Sequence, residues 1–175
     1  MRFLSRVCLI VAVLAGGLLA PPPGLAAVDG VARGAAVDKV LVLKGERRLL
    51  LLHVGRTVRS YRVALGRNPV GAKARQGDGR TPEGLYRLDW RNPESRFHRS
   101  LHVSYPNAAD RARARRHGAP PGGDIMLHGL PPAAAWIGAD HVLTDWTEGC
   151  IAVTNREIEE IWRLVADGTP IEIRP

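Results

Sequence analysis

The chain has 175 residues, a formal net charge of +8 and hydrophobic residues at 45% of its positions. That length bounds the answer at one domain with a real core. The basic balance points to an anionic partner or surface, or simply to solubility, and the first residues argue against nucleic acid as that partner because they carry an export signal.

Arg2 and Arg6 precede an uncharged apolar run, VCLIVAVLAGGLLA, and PPPGLAA then ends in small residues. The run is shorter than the roughly 20 residues of a membrane span, and proline follows it. Residues 1–27 therefore read as a cleaved signal peptide, residues 28–36 as a short linker and 37–175 as one domain. Nothing later in the chain is apolar enough to cross a membrane. An exported protein meets anionic wall polymer or lipid headgroups rather than nucleic acid.

VDKVLVLKGERRLLLLHVGRTVRSYRVALG (37–66) predicts a β-meander, with KGE and VGR as its turns. GRNPVGAKARQGDGRTPEG (66–84) predicts a long loop of the functional or mobile kind. LYRLDW and LHVSY read as strands, and PNAADRARARRHG as a helix with a solvated arginine face. IMLHG is a short buried strand ending at His128, and LPPAAAWIG a loop or short helix. CIAV is a strand. Thr154 and Glu157 form a capping box for a helix carrying Ile158, Ile161, Trp162 and Val165 at helical spacing. PIEIRP closes the chain as a strand. The fold class is mainly β, with two or three short helices.

Cys8 leaves with the signal, so Cys150 is an odd thiol in an oxidising compartment. It is either a small buried hydrophobe or a nucleophile. Gly149 clears the approach to the sulfur, and amides of the turn can hold an oxyanion. An ordinary thiol is only partly ionised at neutral pH and needs a base. His128 is the candidate, because it ends a buried strand where Gly129 opens a loop. His53, His98, His102 and His117 have structural or surface readings. His128, His141 and Cys150 as a zinc site is the competing chemistry, although no pair of them has compact ligand spacing.

IMLHGL, a variable stretch and then DWTEGCIAVTN resemble the signature of the L,D-transpeptidases of the YkuD type. GDGRTPEGLY and VLVLKGERRLLLL resemble two other recurring stretches of that family. The resemblance covers 37–175 and implies an L,D-transpeptidase-like mixed β-sandwich. It implies Cys150 as nucleophile and His128 as base, with Gly129 orienting the ring. Thr147 supports the turn, Gly149 and Cys150 donate to the oxyanion, and Asn155 completes the motif. The implied substrate is a peptidoglycan stem peptide, cut at the bond between an L-centre and D-alanine through a thioester, with no metal or organic cofactor. An acceptor amine resolves the thioester in a transpeptidase, for cross-linking or protein attachment, and the enzyme works in the periplasm or wall.

Two positions depart from the family pattern. Glu148 stands where histidine is usual, and Ala152 where arginine is usual. GCIAVTN is similar to a branch that includes hydrolases releasing wall-attached protein. An L,D-peptidase or amidase of the same fold is therefore the alternative, and a non-catalytic peptidoglycan-binding domain the alternative of another class.

Overall fold

The computed structural model of the protein describes residues 36–175. The expected signal peptide and the expected linker up to residue 35 lie outside the described residues.

Alternation builds the first strands. In β1 (Lys39–Leu43) Val40 and Val42 are buried, and in β2 (Arg48–His53) Leu49 and Leu51 are buried opposite them. β3 (Arg56–Arg62) completes the predicted meander. β4 (Gly84–Ser95) and β5 (His98–Val103) form a long hairpin that extends both predicted strands. β6 (Met126–His128), β7 (Ile151–Ala152) and β8 (Thr169–Arg174) follow.

The strands form one eight-stranded sheet in the order β3-β2-β1-β8-β4-β5-β6-β7. β1–β8 and β6–β7 run parallel and the other pairs antiparallel. Register shifts in β2–β3 and β4–β5 add local bend and twist. The sheet curls until its two ends meet. Ala64, just past β3, exchanges backbone hydrogen bonds of 3.0 and 2.9 Å with Ala152 of β7. The expected sandwich is thus one mixed sheet folded on itself, with its two edge strands joined at that bridge.

Among the described residues three helices accompany it. In α1 (Ala108–Arg116) the cap is Asn107, which accepts from the Ala109 and Asp110 amides, so Pro106 precedes the cap instead of opening the helix. Only Asp110 and Ala114 of α1 are buried; Arg111, Arg115 and Arg116 are exposed, as expected, whereas the half-buried Arg113 pairs with Asp110 and donates to the Lys73 carbonyl. In α2 (Asn155–Leu164) the Thr154–Glu157 capping box forms in both directions. Ile158 and Ile161 are buried, each contributing about 1.5–3 kcal/mol on leaving water. LPPAAAWIG belongs to a 3-10 helix (Pro132–Leu143) interrupted at Gly138, whose φ is 54°.

The glycine-rich stretch between β3 and β4 is a loop, but a braced one. The buried Lys44 ammonium donates to the Gly71 and Thr81 carbonyls at 2.8 and 3.0 Å and to Glu83 at 2.7 Å. Asp78 accepts from Lys73 and from the Ala74, Arg75 and Arg80 amides. The Arg80 carbonyl then packs against Gly149, where a Cβ would stand 2.6 Å from it. Gly149 also has a φ of +129°, so both space and backbone conformation require glycine there.

Candidate active site

Parallel pairing of β6 with β7 sets the site. Leu127 faces Ile151 and His128 faces Ala152, so Met126, His128 and Cys150 project from one side of this strand pair. His128 and Cys150 line the same cleft, about 490 Å³ in volume. The Cys150 sulfur accepts from the Met126 amide at 3.4 Å and lies 3.6 Å from the Asp124 carbonyl, toward which its S–H points. Among the described residues Cys150 is the free cysteine, and it is partly accessible rather than sealed in the core.

His128 is 2% exposed. Its Nδ1 lies 2.6 Å from the Gly129 carbonyl. A carbonyl can only accept, so Nδ1 carries the proton and Nε2 keeps its lone pair. Burial pushes the imidazole pKa down to about 4, against the Gly129 hydrogen bond, which raises it. Burial raises the Cys150 pKa, while the Met126 amide and the Lys73 charge pull it down. At neutral pH the pair therefore rests as thiol and neutral imidazole, not as an ion pair.

The supporting residues form a frame around this pair. The Thr147 hydroxyl donates to the Cys150 carbonyl at 2.8 Å and accepts from the Gly149 amide at 3.1 Å. That second bond engages the Gly149 N–H, one of the two expected oxyanion donors. The Cys150 N–H makes no hydrogen bond among the described residues. Asn155 Oδ1 accepts from the Leu130 amide at 2.6 Å and packs on Gly129, where a Cβ would meet it at 2.5 Å. Asn155 thereby fixes the peptide whose carbonyl orients His128. Glu148 is exposed and pairs with Arg67. Ala152, the register partner of His128, is fully buried.

Sequence reasoning missed the aromatic walls. The Phe97 ring lies 4.4 Å from the His128 ring and the Trp146 ring 5.8 Å from it, centre to centre. Phe97 comes from the β4–β5 turn, distant in sequence, and nothing local marks it. Trp146 sits in DWTEGC and was within reach of a reading that asked what packs on His128. The other histidines lie elsewhere: His98 pairs with Glu159, His102 with Asp89, and His117 caps α1. Among the described residues no group of three His, Cys, Asp or Glu side chains converges to hold a metal, so His128, His141 and Cys150 do not form the zinc site considered above.

The family model for the YkuD L,D-transpeptidase catalytic domain matches residues 38–173. The chain belongs to the YkuD family of L,D-transpeptidase catalytic domains. Among YkuD relatives, YafK of Escherichia coli K12, whose name carries the L,D-transpeptidase activity as provisional, is 35% identical over 133 residues, covering 72% of this chain and 46% of that one. The solved structure of Pgp2 from Campylobacter jejuni, described as a helical cell shape determining protein, matches with a TM-score of 0.60 and 26% identity over 79% of this chain and 47% of that one. Bd1075 of Bdellovibrio bacteriovorus matches with a TM-score of 0.55 and 26% identity, covering 79% and 48%. The chain thus spans about half the length of these relatives. An L,D-transpeptidase from Xylanimonas cellulosilytica, 18% identical with a TM-score of 0.52 over 81% of this chain and 62% of that one, shares the fold. Among the described residues no helix is long and apolar enough to cross a membrane.

Proposed function

We propose that residues 37–175 form a cysteine acyltransferase domain acting on peptidoglycan stem peptides at the bond between an L-centre and D-alanine. One observation carries the reading: an imidazole with Nδ1 tied to a carbonyl and Nε2 unprotonated shares a cleft with the free thiol. His128 Nε2 takes the Cys150 proton as the sulfur attacks the carbonyl carbon. The Cys150 N–H stabilises the developing oxyanion, and Thr147 holds the turn that presents it. The C–N bond breaks, D-alanine leaves with the proton from His128, and a thioester remains. An acceptor amine then attacks, its proton passes to His128, and the C–S bond breaks as sulfur regains a proton. The chain's own residues account for every proton in this sequence. The substrate places the reaction in the periplasm or wall, in keeping with the export signal read at the N-terminus.

Intact-protein mass spectrometry tests the reading. A β-lactam of the carbapenem class is expected to leave one covalent adduct, mapped to Cys150, and a muropeptide donor is expected to release D-alanine. An unmodified sulfur together with full activity in Cys150→Ala would favour the wall-binding reading instead.

A second reading has its own support. Glu148 and Ala152 replace the usual histidine and arginine, and Ala152 leaves only a buried methyl beside His128. Water would then resolve the thioester, giving an L,D-peptidase or amidase. Muropeptide products formed with and without an added acceptor amine separate the two.

A further inference from the structure

The turn that presents Cys150 is held at its start by a carboxylate that takes no part in the reaction above. Asp145 opens DWTEGC, and its side chain is 15% exposed. Its Oδ1 accepts from the Leu65 amide at 2.9 Å. Arg47 Nη2 and Nε donate to its Oδ2 at 2.8 and 3.0 Å. The Leu65 carbonyl in turn accepts from the Thr147 amide at 3.1 Å, and the Thr147 carbonyl from the Arg67 amide at 2.9 Å. The Asp145 side chain thus adds one rung to the parallel bridge between Gly66 and Thr147. Trp146 lies between that rung and the next, clamped by two anchored neighbours, and its ring packs on His128. Thr147, the second neighbour, holds the Cys150 carbonyl and the Gly149 amide.

The backbone of the cation gives an independent sign. Arg47 ends the turn between β1 and β2 with a φ of 51°, in the left-handed region that arginine seldom adopts. Glycine would suit that backbone better, but only arginine brings a planar fork that fits a carboxylate. Its Nη1 donates to the Lys44 carbonyl at 2.6 Å, which fixes the fork within its own turn. A strained residue persists where the surrounding structure requires its side chain, and the partner that requires this one lies 98 residues along the chain. We infer that Asp145 and Arg47 form a positioning pair for Cys150 and His128: one ion pair sets both the turn beneath the sulfur and the aromatic wall against the imidazole. Neither residue lines the cleft, so the pair acts through Trp146 and Thr147. Its part in acyl transfer rests on the reading above; its hold on the thiol and the imidazole does not.

Rates of Cys150 modification in the full chain test this, with iodoacetamide as one probe and a carbapenem as the other. Asp145→Ala removes both bonds of the carboxylate and is expected to slow both modifications about 10- to 100-fold. Asp145→Asn keeps an oxygen for the Leu65 amide and is expected to recover part of that loss. Arg47→Gly removes the guanidinium but relaxes the backbone, so it separates positioning from stability. Its thermal midpoint is expected to stay close to that of the unaltered chain, while both rates fall about tenfold. The limiting carbapenem rate should carry that fall, with the half-saturating concentration unchanged. In the double variant Asp145→Asn with Arg47→Gly, the loss should match the larger single loss, because the two residues act as one unit; losses that multiply would overturn the pairing. Rates within about twofold of the unaltered chain in both single variants overturn the proposal, as do rates that fall only as far as the folded fraction falls. Should Asp145→Ala not fold, these two variants decide. A chain that takes no carbapenem yet shows this iodoacetamide pattern retires the acyl-transfer reading and keeps the positioning pair. One that acylates equally fast in every variant retires the pair and keeps the reading.

Discussion

Two buried histidines stand on either side of Trp146, and the difference between them is instructive. Burial lowers the pKa of both rings. His128 has its Nδ1 proton committed to the Gly129 carbonyl and its faces packed by Phe97 and Trp146. His141 has neither nitrogen committed. One hydrogen bond thus separates a ring with an assigned tautomer from a ring whose bonding capacity is still unspent. A base needs the first condition, and His141, with both nitrogens sealed from solvent, does not meet it.

The largest effect expected to sharpen this contrast is Cys150→Ser. It should reduce carbapenem adduct formation below detection by mass spectrometry, while the histidine ring signals in NMR stay unchanged. A full adduct yield in the variant would mean that another group carries the acyl chain. Next, His128→Gln should slow iodoacetamide alkylation of Cys150 at neutral pH by about 10²–10⁴-fold; an unchanged rate would mean that another group activates the sulfur. Asn155→Ala removes the acceptor for the Leu130 amide and loosens Gly129, so alkylation should slow by about tenfold. Asn155→Asp, which keeps the accepting oxygen, should restore most of that rate; an equal loss in both variants would point to packing rather than the hydrogen bond.

The pH dependence is the gentlest test. The folded His128 pKa of about 4 lies below the ordinary 6.5. The unfolded chain therefore takes up the proton first as pH falls, and stability drops between pH 6.5 and 4. The full difference is worth about 3 kcal/mol, readable in urea midpoints, and His128→Gln should flatten that part of the curve. The acid limb of the acylation rate should likewise fall near pH 4, not near 6.5. A limb at 6.5 would mean that the ring is better solvated than its packing implies.

Local pattern carried most of this molecule. Alternation in KVLVL and RLLLLH, the Thr154–Glu157 box and the order of HG and GC marked the strands, the last helix and the two side chains that share the cleft. What stayed illegible was long-range. Closure of the sheet through Ala64 and Ala152 is a backbone event between two alanines, which carry no side-chain signature. Phe97 reaches His128 across 31 residues because a hairpin returns it there. The engagement of the Gly149 amide by Thr147 depends on one hydroxyl rotamer, below anything spacing can encode.

The braced loop between β3 and β4 has a practical consequence. Its composition advertises a flexible stretch that a protease would find first. Lys44 ties that stretch to the body of the domain, and Asp78 braces it from within. Limited digestion of the native protein should spare it, and a charge-neutral swap at Asp78 should expose it to cutting while disturbing a sulfur whose neighbouring glycine leans on the Arg80 carbonyl.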